Sequence, residues 1–409
     1  MAVLRHTAFR NLFLAQSAST LGDRIVFVAL ALYVTEIGSP TDVGLVLAAH
    51  ALPLVGFILL GGVLADRVPR ARIMIASDLA RFALHALLAA LIFTGVAEIW
   101  HIVAIEALFG SAEAFFKPAQ TGLLPQTVPE EEIQEARAAS GTIETLAEFA
   151  GPALATALVL GLGAGWAFAI DAATFLVSIA FLLRVRPRER GEAPQVQSVR
   201  LDLREGFQAV RSRAWLWSIL VCFSAAVLLS FAPWFTLGPT VAEDVYGSTG
   251  VFGLLVAAAG AGTIAGAVVG FRWRPQHPLR TGMLLAMPWP AAAFAVAIAL
   301  PLWLVVPAFL LSGFGIALFG IWWETALAER VPPHLLSRVS AYDWMVSLSL
   351  LPIGYLLAGP LGEALGEQLV LGAGTAVATL ALAASLLVRE TRELRRLQRG
   401  SDLAIAQRR

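Results

Sequence analysis

Gly62-Val63-Leu64-Ala65-Asp66-Arg67-Val68-Pro69-Arg70-Ala71-Arg72 lies where one long apolar run stops and the next begins. The run from Val43 to Leu64 is long enough to cross a bilayer, which takes about 20 helical residues. The Asp-Arg-x-x-Arg-x-Arg that ends it is too costly to leave in hydrocarbon. The chain therefore turns at this stretch and goes back.

Composition points the same way. Of 409 residues, 58% are hydrophobic and only 14% are charged, where soluble domains carry about 25% charged residues. This is the make-up of a polytopic membrane protein. The formal net charge is zero, so no nucleic-acid partner is expected. One cysteine, Cys222, allows neither an internal disulfide nor a Cys-based metal site. Arg5 and Arg10 precede an apolar segment that runs to about Val34 without the short core and cleavage site of a signal peptide. It is expected to stay as a first span.

Apolar stretches bounded by charge or by Gly and Pro predict twelve spans, at 11–35, 43–65, 73–95, 99–117, 137–161, 164–184, 214–237, 250–271, 279–300, 302–324, 338–361 and 367–388. Runs of this length that do not alternate must be helices, because lipid offers the backbone no hydrogen-bonding partner. Apart from Arg24 and Arg81, which lie inside spans, the 29 basic residues sit at the termini and in the loops of one side. The loops near 36–42, 96–98, 162–165, 238–249, 301 and 362–366 have none. By the positive-inside rule both termini are expected in the cytoplasm, with an even number of spans in the inner, cytoplasmic membrane.

The longest break, 185–213, divides the chain into six-helix bundles at 1–184 and 214–388, with a tail at 389–409. The second part of this linker and the tail segment 389–397 read either as interfacial amphipathic helices or as solvated basic segments near anionic lipid. Two weak internal repeats support the division. Val128-Pro129…Gly151 answers Val331-Pro332…Gly354 at an offset of 203 residues, and Gly44-Leu45-Val46 answers Gly253-Leu254-Leu255 at 209. Two repeated bundles around a linker are the layout of a secondary transporter, with its substrate site between the halves near mid-bilayer.

With that frame, Gly62-x-x-x-Asp66-Arg67-x-x-Arg70-x-Arg72 resembles the signature of the major facilitator superfamily, Pro69 standing where the signature usually has Gly. The resemblance implies an all-α fold of twelve transmembrane helices in two pseudo-symmetric bundles. It also implies a gate in which Gly62 lets the second span approach a neighbour and Asp66 latches onto the start of the eleventh span near Arg338. Arg67 and Arg72 complete that gating motif, and Arg70 would pair with an acid of the fourth span, Glu113 being the nearest. The second-half counterpart, Gly270-Phe271-Arg272-Trp273-Arg274, has no acid, so the latch is expected to be one-sided.

Ala15-Gln16, Leu21-Gly22-Asp23, Phe115-Phe116-Lys117-Pro118-Ala119, Gly151-Pro152-Ala153-Leu154 and Asp171…Thr174-Phe175 further resemble the macrolide-efflux and enterobactin-exporter branch. Gly151-Pro152 is similar to the antiporter motif of exporters, although Ala155-Thr156 replaces the Gly pair that often follows it.

Ionisable residues inside spans are functional candidates by default. Asp23, about twelve residues into its span, falls near mid-bilayer and is the leading candidate for substrate or proton coupling. Arg24 points about 100° away from it around the helix. Glu144 and Glu148 share a helix face. They are either a proton-binding pair or static partners of Arg24 or Arg81. Glu106, Glu113 and Asp171 complete the set, with Asp171, nearer the outer surface, read mainly as a brace. Glu324 and Asp343 are placed at an inner gate. His50 and His85 lack metal-type spacing and read as packing residues.

No nucleotide-binding loop, metal cluster or nucleophile–base motif is present, so an ATP-driven pump or an enzyme is not expected. The implied function is proton-coupled efflux of hydrophobic or amphipathic small molecules, with the proton as coupling ion and no other cofactor, by a monomer in the bilayer. A lipid flippase of the same fold, and a non-transporting membrane partner or sensor, stay open as alternatives.

Overall fold

The chain is described from a computed structural model. The structure describes residues 2–187, 199–332, 335, 339, 342, 343, 345–347 and 349–396. Six helices make up the first half: α1 (Thr7–Ile37), α2 (Pro40–Arg67), α3 (Arg70–Phe93), α4 (Ile99–Leu123), α5 (Ile133–Leu162) and α6 (Ala164–Leu182). The opening stretch is the predicted turn, since α2 runs through Asp66 to Arg67, Pro69 caps α3, and α3 begins at Arg70. At its other end α2 starts on a capping box, in which Ser39 and Asp42 satisfy each other's backbone N–H groups and Pro40 occupies the first turn.

The second part of the linker forms helix α7 (Val199–Arg211). The seventh span consists of α8 (Ala214–Ala226) and α9 (Ala232–Tyr246), joined by a π-turn over Val227–Phe231. Then follow α10 (Gly250–Arg272), the pair α11 (Pro278–Ala286) and α12 (Pro288–Ala297), α13 (Leu302–Arg330), α14 (Leu351–Leu365), α15 (Glu367–Ala384) and the short α16 (Arg389–Glu393). Among the described residues, eleven helices are long and apolar enough to cross a membrane. The ninth predicted span is helical but broken between Ala286 and Pro288, because a proline cannot supply the N–H that would continue the ladder.

The chain packs as two compact units. The first comprises Met1–Ala193 with Phe235–Ala257 and Tyr355–Glu367; the second comprises Pro194–Trp234, Ala258–Gly354 and Gln368–Arg409. Within the first, α2 packs on α4, α3 packs on α4 and α6, and α1 packs on α5 and α6. Its core on the arginine-rich side gathers Phe9, Leu12, Met74, Phe116 and Leu123. On the arginine-poor side, glycines bring backbones together. A Cβ on Gly44 would overlap the carbonyl of Tyr355, and one on Gly253 would overlap the Thr156 hydroxyl. The Thr41 N–H donates to Glu363 Oε1 at 3.1 Å across the same contact. The second unit is built around Leu216, Leu279, Met283 and Trp323, with α13 packed on α11 and α12.

A buried ionisable chain in the first unit

Two helices of the first unit carry their ionisable residues in stripes. On α3, Asp78, Arg81 and His85 stand at i, i+3 and i+7; on α4, Glu106, Glu113 and Lys117 stand at i, i+7 and i+11. Each set lies on one helical face. Gly110 places the α4 stripe: a Cβ there would overlap the His50 carbonyl, so α2 comes against α4 with His50 between Glu106 and Glu113. Gly22 does the same for α1 and α6, where a Cβ would overlap the Asp171 carboxylate.

The side chains then join into one line. Lys117 Nζ is 3.6 Å from Glu113 Oε1, Glu113 Oε2 is 3.2 Å from His50 Nε2, and His50 Nδ1 is 3.0 Å from Glu106 Oε2. Glu106 Oε1 faces His85 Nε2 at 3.5 Å without completing a hydrogen bond, and His85 Nδ1 bonds Asp171 Oδ2. From Glu106 to Lys117 the line runs about 16 Å along α4 at 1.5 Å per residue. Beside it, Arg81 pairs with Asp78 and lies 3.5 Å from Asp23 Oδ2, while Ser178 Oγ donates to Asp78 Oδ2 at 2.6 Å.

The walls are aromatic. Phe109 stacks on the His85 ring at 3.9 Å with 8° between planes, and the Arg81 guanidinium lies 4.3 Å and 4.5 Å from the Phe116 and Phe175 ring centres. Such walls lower the local dielectric and strengthen every pairing inside them. Asp23 Oδ1, Arg81 Nε and Gln16 Nε2 are buried and have no hydrogen-bond partner among the described residues. No group of three or more His, Cys, Asp or Glu side chains among the described residues is arranged to hold a metal ion.

Several expectations change here. His50 and His85 are not simple packing residues: His50 bridges Glu106 and Glu113, and His85 links Glu106 to Asp171 while stacking on Phe109. The absence of metal-type spacing misled that reading, because both partners come from other helices. Asp78, overlooked in the sequence, is fully buried against Arg81. The i, i+3, i+7 stripe on α3 is the signal that finds both residues.

Arg70 donates to the Gly122 carbonyl at 2.8 Å, more than two turns beyond Glu113, whose carboxylate is held by His50 and Lys117. Among the described residues nothing lies within 4 Å of a Cβ built on Gly62, and the start of the eleventh span lies outside them; a Cβ on Gly61, one residue earlier, would overlap the Ala114 carbonyl of α4. Arg67 and Arg72 are exposed. The side chain of Asp66, and Arg338, lie outside the described residues.

Glu144 and Glu148 are exposed, and Glu148 Oε1 accepts from Arg24 Nη2 at 2.8 Å. Gly151, the residue before Pro152, is the seat of Arg24 on α5, because a Cβ there would stand 2.5 Å from the Arg24 Cβ. Charged groups are costly against hydrocarbon, so the exposed Arg24–Glu148 pair marks this face of α1 and α5 as polar. Asp23, whose side chain is 27% exposed, lies beside the buried Arg81. In the second unit Glu324 is exposed, and Asp343 Oδ2 accepts from Trp323 Nε1 at 2.8 Å.

The helical membrane-spanning fold, together with the family and relatives it matches, is that of a transporter and not of an enzyme. The chain belongs to the Major Facilitator Superfamily, whose family model matches residues 12–347. Macrolide efflux protein A of Streptococcus pyogenes is 24% identical over 94% of this chain and 97% of its own length. The enterobactin exporter EntS of Citrobacter koseri is 25% identical over 95% of this chain and 94% of its own. Among solved structures, an inward-facing, unoccupied bacterial homologue of the human lysosomal transporter Spinster superposes with a TM-score of 0.70 at 17% identity. That match covers 96% of this chain and 98% of the other.

Proposed function

We propose that the protein exports hydrophobic or amphipathic small molecules from the cytoplasm, driven by protons entering in exchange, by alternating access of its two bundles in the inner membrane. The cargo class is supported by relatives whose names specify macrolides and enterobactin. The arginine-rich loops support a cytoplasmic location of both termini.

The observation that carries the coupling is the charge balance of the buried chain. Five carboxylates (Asp23, Asp78, Glu106, Glu113 and Asp171) meet two permanent cations, Arg81 and Lys117, with His50 and His85 between them. Fully ionised with neutral histidines, this interior would hold excess negative charge, and burying unpaired charge is costly. The cluster balances by taking up protons, for which the two imidazoles and Asp23 supply the sites.

Asp23, a carboxylate of the cluster that is 27% exposed and lies beside Arg81, is the entry point in this reading. The unfinished link between Glu106 Oε1 and His85 Nε2 is where a proton crosses when either ring or carboxyl shifts by a few tenths of an ångström. Cargo would pass along the face that carries Arg24 and Glu148.

The test is efflux of a macrolide, and separately of enterobactin, from proteoliposomes with and without an imposed pH gradient. Asp23→Asn and Glu106→Gln should keep the fold and lose the acceleration by the gradient. Wild-type acceleration in both variants would refute proton coupling through this chain, and no movement of either compound by the parent protein would refute the cargo class.

A further inference from the structure

A second polar feature of the first unit plays no part in transport as read above. Where the start of α1 meets the segment leaving α6, a cavity of about 670 Å³ opens on the arginine-rich side. Arg10, Arg184 and Arg186 line it, with Thr7 and Asn11, and among the described residues no acidic side chain does. The Asn11 amide donates to the Arg184 carbonyl at 3.2 Å, which fixes the two chain segments against each other. His6 provides no side-chain cap for α1, so the positive end of that helix adds to the field of the three guanidinium groups.

The wall on the membrane side is apolar. Leu14 and Phe181 line the cavity, the Arg184 guanidinium lies 5.9 Å from the Phe181 ring centre, and Leu14 and Leu183 are exposed. A soluble anion would use the arginines and leave this wall unemployed. A lipid uses both, with its phosphate among the arginines and an acyl chain against Leu14. The volume suits a headgroup, and basic pockets between helices at this depth are where anionic headgroups bind.

We infer that this cavity is a binding site for an anionic glycerophospholipid of the arginine-side leaflet, held through its phosphate by Arg10, Arg184 and Arg186. Because it pins α1 to the exit of α6, an occupied site holds the two helices that bear Asp23 and Asp171 in register. The inference does not depend on the cargo or on proton coupling.

The test uses the purified full chain in nanodiscs of phosphatidylcholine with or without phosphatidylglycerol. It measures the melting temperature, and lipid retention by native mass spectrometry. Phosphatidylglycerol should raise the melting temperature, and Arg10→Gln/Arg184→Gln/Arg186→Gln should remove that increment and weaken retention by about tenfold or more, as expected for lost arginine–phosphate contacts. The single variant Arg186→Gln should lose part of it. Arg272→Gln/Arg274→Gln, on the same side in the second unit, should keep it. The inference falls if the triple variant retains the full increment, if the Arg272/Arg274 variant loses as much, or if inorganic phosphate alone reproduces it.

Discussion

Arg81 is the residue on which the buried chain turns. Its guanidinium is almost wholly buried, pairs with Asp78, reaches toward Asp23 and lies against Phe116 and Phe175. Arg81→Gln strands Asp78 in an apolar interior, and breaking a buried pair from one side costs about 3–5 kcal/mol. Thermal unfolding in detergent should show a large drop in melting temperature. Arg81→Lys keeps the charge but lacks a fork that serves two carboxylates and a plane that stacks on rings, so it should fall between the two. If Arg81→Gln melts like the parent, Asp78 is not held by this pairing. At this scale the sequence was readable for single residues and unreadable for pairs. Asp23, Glu106, Glu113 and Asp171 stand out as charges in apolar runs. Nothing in their spacing says that His50 sits between Glu106 and Glu113, because that depends on Gly110 letting α2 come against α4.

Between elements, glycine positions decide which faces meet, and adjacent residues separate cleanly. Gly61→Ala drives a methyl into the Ala114 carbonyl and should cost about 1–3 kcal/mol through overpacking. Gly62→Ala meets nothing within 4 Å among the described residues and should be neutral, or stabilising by up to about 1 kcal/mol through helix propensity. Melting temperatures of the two variants compare them directly. The signature singles out Gly62 for the eleventh span, whose start lies outside the described residues, and it carries no signal for the Gly61 contact with α4.

A second contact between elements answers to pH. Glu132, in the turn before α5, bonds His6 at 2.9 Å and pairs with Arg5. Although desolvation pushes its carboxyl up, the His6 hydrogen bond and the Arg5 charge hold it below the usual carboxylate range. A depressed carboxylate contributes stability that is present above its unfolded value, about 4.3, and is lost as pH falls through the lower folded value. Hydrogen exchange of residues 2–6, corrected for intrinsic rates, should therefore stay protected at pH 5 and open only below about pH 4. Glu132→Gln should be open at both.

Over the whole molecule the two halves repeat in backbone and diverge in charge. Gly151 and Gly354, 203 residues apart, each receive a helix of their own half: a Cβ would stand 2.5 Å from the Arg24 Cβ in one and 2.5 Å from the Ala232 Cβ in the other. Of the two short matches in the sequence, the one at an offset of 203 residues thus falls on a close helix approach in each half, a constraint that keeps glycine at the same position. The charge asymmetry was legible only in part, through the missing acid near Arg272. The ion pairs formed by histidine or by side chains buried inside spans belong, among the described residues, to the first unit, while the acids named in the second are Glu324, exposed, and Asp343, bonded to Trp323. If the first unit alone binds the coupling proton, the pH at which transport is half-maximal is set there. Glu324→Gln and Asp343→Asn should then change the rate of macrolide efflux and leave that pH in place, whereas His85→Gln should move or abolish it. A shift of the half-maximal pH in either second-unit variant would assign part of the proton binding to the other half and break the division of labour drawn from the charge pattern.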